Sequence, residues 1–298
     1  SNKNIFKFLK KNKIKSIYFA TLAQPTSLTQ SDLVFKRYLR AIFSFNKYKH
    51  YIKHMFSFLS IKFFKIYHPD YLLMNQKKNY LNYFSTSKPI YVNSPDYDNY
   101  LHNKKIKKPN FIPNKKYVVF LADTPWGSHD LGLLNIRHRI KKIEYKEKIN
   151  NFFKNFEKYF KYKIIISAHP RQTDNDNIYK PRQFIMKDTE QLIKYSQGVI
   201  CHFSGAISYA VLNHKPICFF YYKDWLQNDY IVNNTKQYTE ALNTQANIID
   251  DNFDYKKLNF YYNKKSFNKY IQKYLKCYTK KTSSYWSGIF KEIKKNEI

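Results

Sequence analysis

Val199-Ile200-Cys201-His202-Phe203-Ser204-Gly205-Ala206-Ile207-Ser208-Tyr209-Ala210-Val211-Leu212-Asn213-His214-Lys215-Pro216-Ile217-Cys218-Phe219-Phe220 is the stretch whose reading decides the fold. It opens and closes on short apolar runs of strand length, while 206–213 carries helical spacing and Ser204-Gly205 reads as loop and helix cap. Strand, tight loop, helix, tight loop, strand is a parallel βαβ unit. Just upstream, 163–167 makes another buried strand, which ends in Ala168-His169-Pro170-Arg171. Two loops therefore leave the carboxyl ends of parallel strands, the place where open α/β sheets hold their ligands. One brings an imidazole and a guanidinium; the other brings the Ser204 hydroxyl to a helix start, whose free N–H groups and positive dipole end attract anions. A phosphate suits both.

Outward from this core, strand and helix alternate. Strands are expected at 117–122, 163–167 and 183–186, with helices at 140–159 and 189–196 and a further edge strand at 246–249. That rhythm indicates a doubly wound parallel sheet. The Lys, Pro and Asn-rich break at 103–116, with Pro109 and Pro113, sets a boundary. The resulting division is an N-terminal domain at 1–110, a ligand-binding domain at 111–260 and a helical tail at 261–298. In the first domain, 1–13 reads as a helical lead-in, 14–21 and 89–93 as strands, and 32–67 as basic, aromatic helix. In the tail, Trp286 and Phe290 mark a docking face.

The chain has 298 residues, 43% of them hydrophobic and 19% aromatic, which is folded-protein composition with room for two cores. Its formal charge of +32 comes from 47 Lys and only 6 Arg. Two readings of that charge stand side by side: the surface bias of an AT-rich coding sequence, and attraction to a polyanion such as an anionic membrane surface. The scarcity of Arg speaks against specific nucleic-acid readout. Cys201, Cys218 and Cys277 lack the count and spacing of a disulfide framework or zinc site and fit a reducing cytoplasm. No apolar run approaches the ~18 residues of a membrane span; the opening Ser1-Asn2, without Met, leaves room for an upstream anchor.

Five glycines, Gly127, Gly132, Gly198, Gly205 and Gly288, cannot write a dinucleotide or P-loop fingerprint. The phosphate chemistry thus falls to the two loops above and to Asp123-Thr124-Pro125-Trp126-Gly127-Ser128-His129-Asp130 after the strand at 117–122. Asp123 and Asp130 are the candidate general bases, although either can serve as a plain loop carboxylate. Likewise His169 can be a strand-end histidine and Ser204 an ordinary N-cap. His202 and His214 read as structural or surface residues.

The pattern Ile-Ser-Ala-His169-Pro170-Arg171, Thr189-Glu190-Gln191-Leu192-Ile193, His202-Phe203-Ser204-Gly205-Ala206 and Lys215-Pro216-Ile217 resembles the donor domain of GT-B-type glycosyltransferases of bacterial surface polysaccharide synthesis. The similarity covers about residues 115–222 and is to the sialyltransferase, polysialyltransferase and Kdo-transferase type, which pairs a His-Pro motif with a Ser-Ser/Thr motif. It implies two Rossmann-like domains and a metal-independent transfer, without cofactor, from a nucleotide-activated donor, commonly CMP-linked, to a glycan or lipid-linked acceptor. His169, Pro170, Arg171, Ser204, Gly205 and Ala206 would hold the donor. His169 would stabilise the leaving phosphate while a carboxylate takes the acceptor proton. Gly205-Ala206 departs from the pattern, standing where a second hydroxyl is expected. The location implied is cytoplasmic, at the inner face of the membrane. Two other readings use the same features: a phosphotransferase taking a CDP-polyol, and a non-catalytic polyanion binder.

Overall fold

The computed structural model describes residues 2–19, 25, 68–75, 86–126, 140–170, 172–174, 177–277 and 285–297. The basic stretch expected to be helical at 32–67 lies outside them. In chain order the elements are α1 (Asn2–Lys11), β1 (Ile17–Phe19), β2 (Tyr71–Met74), β3 (Lys88–Tyr91), α2 (Pro95–Asn103), β4 (Tyr117–Leu121), α3 (Lys142–Phe160), β5 (Lys163–Ser167), β6 (Phe184–Ile185), α4 (Thr189–Tyr195), β7 (Val199–Cys201), α5 (Ile207–Leu212), β8 (Ile217–Tyr222), α6 (Asp229–Leu242), β9 (Asn247–Ile249), α7 (Lys264–Tyr270) and α8 (Tyr285–Glu297). A π-helical turn, Ile271–Leu275, continues α7. The expected α/β class with parallel sheets is what the chain adopts.

Two sheets form. The first has order β1-β2-β3, and the second β6-β5-β4-β7-β8-β9. Every strand pair in both is parallel. In the second sheet the chain starts in the middle at β4, steps outward through β5 to β6, then returns to β7 and steps the other way. That is double winding, with its reversal between β4 and β7.

Burial on both sides explains the unbroken apolar strands of the second sheet. Successive side chains alternate faces. Val118 and Phe120 of β4 join Ile164, Ile166, Ile200, Cys218 and Phe220 under Phe152, Phe153 and Phe156 of α3. Tyr117, Val119 and Leu121 join Ile165, Val199, Cys201 and Phe219 under α4, α5 and α7. The rings interlock, with Phe152 stacked on Phe220 at 4.3 Å and Phe120 edge-on to Phe153 at 4.9 Å.

A helix the sequence reading overlooked, α2, begins after the break from the first sheet. Ser94 caps it by accepting the Tyr97 N–H at 3.2 Å, Pro95 opens it, and Asp96 and Asp98 sit in its first turn, where negative charge suits the dipole. Although α2 falls within residues 1–110, its Tyr97 and Tyr100 pack against the core of the second sheet. The chain's end crosses in the opposite sense. Leu275 accepts the Ser94 N–H at 2.8 Å, Cys277 donates its N–H to Asn93 Oδ1 at 2.9 Å, and Ile289 of α8 is buried against β2 and β3.

Gly198, directly before β7, shows how tightly the strands close. A Cβ there would meet the Pro216 carbonyl oxygen at 3.0 Å and the Phe260 ring at 3.2 Å. The carbonyl is held by the Val199 N–H at 2.9 Å and cannot retreat. Gly198→Ala is therefore expected to destabilise the protein by about 1–3 kcal/mol, read as a lowered denaturant midpoint at unchanged slope.

Candidate functional site

The carboxyl ends of β5, β4 and β7 lie side by side, so the loops they release share one edge of the sheet. The loop after β4 starts at Ala122, the one after β5 at Ala168 and the one after β7 at His202. The crevice of a doubly wound sheet opens at its reversal, here between the loops of β4 and β7. His169 stands one strand away. Three of the sequence candidates, Asp123, His169 and Ser204, are thus carried by adjacent strand ends. Arg171 and Asp130 lie outside the described residues.

His169 is two residues beyond β5 and half-buried. Its loop is closed by Gln172, whose side-chain Oε1 accepts the His169 N–H at 2.7 Å while its own N–H is given to the His169 carbonyl at 2.8 Å. The reciprocal pair fixes the backbone that carries the imidazole, and exposed Pro170 stiffens the turn between. Asp123 follows β4 by two residues. Its Oδ1 accepts the Thr124 N–H at 2.8 Å, and Oδ2 is buried. The carboxylate's charge reaches the buried hydroxyls of Tyr145 and Tyr179: burial and then this charge raise Tyr179 above the usual phenol range, and burial, then Tyr179, then this charge raise Tyr145.

Ser204 corrects the expected helix cap. The capping position belongs to Ala206, and α5 runs only from Ile207. The intervening residues make successive i to i+3 bonds, Ile207 N–H to the Ser204 carbonyl at 3.2 Å and Ser208 N–H to the Gly205 carbonyl at 3.3 Å, so the helix begins as a tightened turn. Ser204 Oγ accepts the Ala206 N–H at 3.2 Å. No described residue accepts its own proton. Gly205 has no positive φ, so its contribution is the missing side chain.

Beneath the crevice lies His202, 1% exposed and ringed by Phe120, Tyr145, Phe220 and Trp225. Nδ1 is 2.7 Å from the Phe220 carbonyl, which can only accept, so the ring proton sits on Nδ1. Nε2 is then an acceptor, and the Tyr145 hydroxyl donates to it across 3.0 Å. Burial lowers its pKa to about 4, the bond to the carbonyl pulling weakly the other way. It is a neutral floor to the β7 loop, as its structural reading expected. Glu190 of the Thr-Glu-Gln motif is likewise buried, accepting from Gln191 at 2.8 Å and Asn213 at 3.3 Å, with desolvation raising its pKa.

A second carboxylate near the β7 loop was missed. Asp96, at the start of α2, takes a hydrogen bond from Ser208 Oγ, whose hydroxyl also lies 2.9 Å from the Gly205 carbonyl. Desolvation raises its pKa, opposed by Ser208 and Tyr209. Tyr209 is tied back to α2 by Asn99 at 3.2 Å. The Ser-Pro-Asp sequence at 94–96 signals a helix start, but nothing local to it announces a partner 112 residues away.

Neither a family model nor a curated protein matches the sequence. Among solved structures, the chain is similar to "Thermosulfurimonas dismutans KpsC, beta Kdo 2,7 transferase" at 13% identity and a TM-score of 0.34, covering 95% of this chain and 99% of that one. It is also similar to "Spinosyn Rhamnosyltransferase SpnG complexed with thymidine diphosphate" at 13% identity and a TM-score of 0.28. That match covers 58% of this chain and 47% of the rhamnosyltransferase, so the chain spans about half of its length.

The depressed pKa of His202 gives stability a pH signature. Between pH 6.5 and about 4 the unfolded chain takes up a proton that the folded imidazole refuses. Its contribution is complete above 6.5 and is lost as pH falls towards 4, by up to about 3 kcal/mol. Replacement by a group that cannot titrate, His202→Gln, should flatten that part of the denaturation-versus-pH curve relative to the parent. Parallel curves would mean the imidazole is protonated in the fold.

Proposed function

We propose that this protein is a GT-B-like, metal-independent glycosyltransferase. It moves a sugar from a nucleotide-activated donor, CMP-linked and of sialic acid or Kdo type, to a surface glycan or lipid-linked acceptor at an anionic membrane surface. The observation that carries the proposal is the gathering of the Asp123, His169 and Ser204 loops on three adjacent strand ends at the reversal of a doubly wound sheet. As the sugar–phosphate bond breaks, negative charge grows on the leaving phosphate. Fixed donors at that point stabilise it more than they stabilise the bound substrate. His169 and the Ser204 hydroxyl are the proposed donors, joined by Arg171 and by the backbone N–H of Gly205. Ala206 N–H is satisfied by Ser204 and becomes available if the serine turns towards phosphate. Asp123 and Asp130 remain the proposed acceptor-side bases. The two units divide the work, with donor recognition within 111–260 and the acceptor side within 1–110, followed by the helical tail at 261–298.

Calorimetric titration with CMP tests the donor site, and a chain that binds no nucleotide but binds heparin would be a polyanion-binding protein instead. Release of CMP from a CDP-polyol and from no CMP-sugar would make it a phosphotransferase. His169→Ala is expected to lower turnover by about a hundredfold or more while leaving the melting transition in place, because the ring lies beyond the strand it follows. Unimpaired turnover would remove His169 from the chemistry. Gly205→Thr should keep or strengthen CMP binding by supplying the hydroxyl that the resemblance expects. Gly205→Val, equal in branching and bulk, should weaken it. If both bind as the parent does, the turn before α5 does not hold the phosphate.

A further inference from the structure

Helix α7 and its π-helical continuation bury one side and charge the other. Asn263 caps the helix by accepting the Ser266 N–H at 3.0 Å, and Phe267, Tyr270 and Leu275 are buried in the second sheet's core. The outward side carries Lys264, Lys265, Asn268, Lys269, Gln272 and Lys273, all exposed, around an open hollow of about 820 Å³. Lys265, Lys269 and Lys273 follow at intervals of four and so stand in one row roughly 12 Å long. None of the three ion pairs among the described residues involves them. Residues 255–291 contain ten lysines and no Asp or Glu, so this stretch supplies no carboxylate of its own to neutralise the row.

We propose that this face docks the protein on an anionic lipid headgroup layer. The charge selects a polyanion, and the rest of the face selects its kind. The apolar side of the helix is already buried in protein, so nothing here inserts and the contact is electrostatic. The hollow is shallow and open, matching a broad surface better than a single strand that must be gripped. The charges are ammonium groups without a guanidinium fork, suited to many diffuse phosphates rather than to bidentate readout of one. The helix is held in place before any contact, since the Tyr274 carbonyl accepts from Asn75 and that of Leu275 from Ser94. Little ordering is therefore needed on docking. This inference rests on the membrane surface named in the proposed function and is independent of donor chemistry.

Co-sedimentation with phosphatidylcholine vesicles, with and without phosphatidylserine, tests it. The parent should bind only the serine-containing vesicles, increasingly weakly as salt rises. Each lysine near such a surface contributes about fivefold in partitioning, so Lys265→Gln, Lys269→Gln and Lys273→Gln together should lose about a hundredfold. The same charge removed from exposed α3 positions, by Lys146→Gln, Lys154→Gln and Lys158→Gln, should cost severalfold at most. If the α7 triple variant loses its helical signal, Lys269→Glu compared with Lys154→Glu replaces the comparison. Equal losses from both helices, or no loss from α7, would overturn the assignment. So would loss of heparin binding with vesicle binding intact, which would make the face a site for a soluble polyanion. A parent that ignores both vesicles would overturn the membrane surface as well, while CMP titration would still report on the donor site.

Discussion

Covering β4 on both faces is the constraint from which the rest of the second sheet follows. Five consecutive residues, Tyr117 to Leu121, are each at most 2% exposed, with β5 and β7 as hydrogen-bonded neighbours. A parallel strand so enclosed must have helices on either side, and the connections must leave in opposite directions. Those two demands produce the reversal between β4 and β7. The reversal separates the loops at one edge, where doubly wound sheets open a crevice, without any residue being selected for binding. The chemistry proposed for that crevice uses residues the architecture has already brought there.

The apolar runs expected at 163–167, 199–202 and 216–220 were legible because a strand buried on both faces is written as unbroken hydrophobic sequence; the last extends to Tyr222. The helix expected at 140–159, and found at Lys142–Phe160, was legible because its Phe residues recur at helical spacing. The three-residue β9 also lay where expected, at 247–249. Less legible was anything depending on register between distant segments. Asp96 reads as a helix-start carboxylate, its meeting with Ser208 depends on how α2 lies across α5, and that packing is written in neither segment. Ser204 was placed as a cap because serine before a helical pattern usually is one. The extra tightened turn that moves the cap to Ala206 is made by successive backbone bonds over 204–209, which no single residue of the stretch announces.

His202 and His169 contrast instructively. Both follow parallel strands, but His202 directly succeeds β7 and continues its alternation, which turns the ring to the side shared with Phe120 and Phe220. There it must be neutral, and it has a donor and an acceptor to satisfy its two nitrogens. His169 is one residue further from its strand and sits in a loop whose backbone is pinned by Gln172. Distance from the strand end, by a single residue, separates a histidine that supports the sheet from one offered to its edge.

The hydrogen bonds that tie the end of the chain to its beginning bear on how the protein is made. Asn75 meets Tyr274 across 199 residues and Asn93 meets Cys277 across 184. During synthesis at 5–20 residues per second, the buried faces of β2 and β3 wait roughly 10–40 s for the segments that cover them. Through that interval a short parallel sheet rich in Tyr, Leu and Ile has neither its α8 cover nor its distant hydrogen-bond partners. The second sheet has most of its own helices to hand as it emerges. The first is the part of this molecule whose buried faces wait longest for their cover.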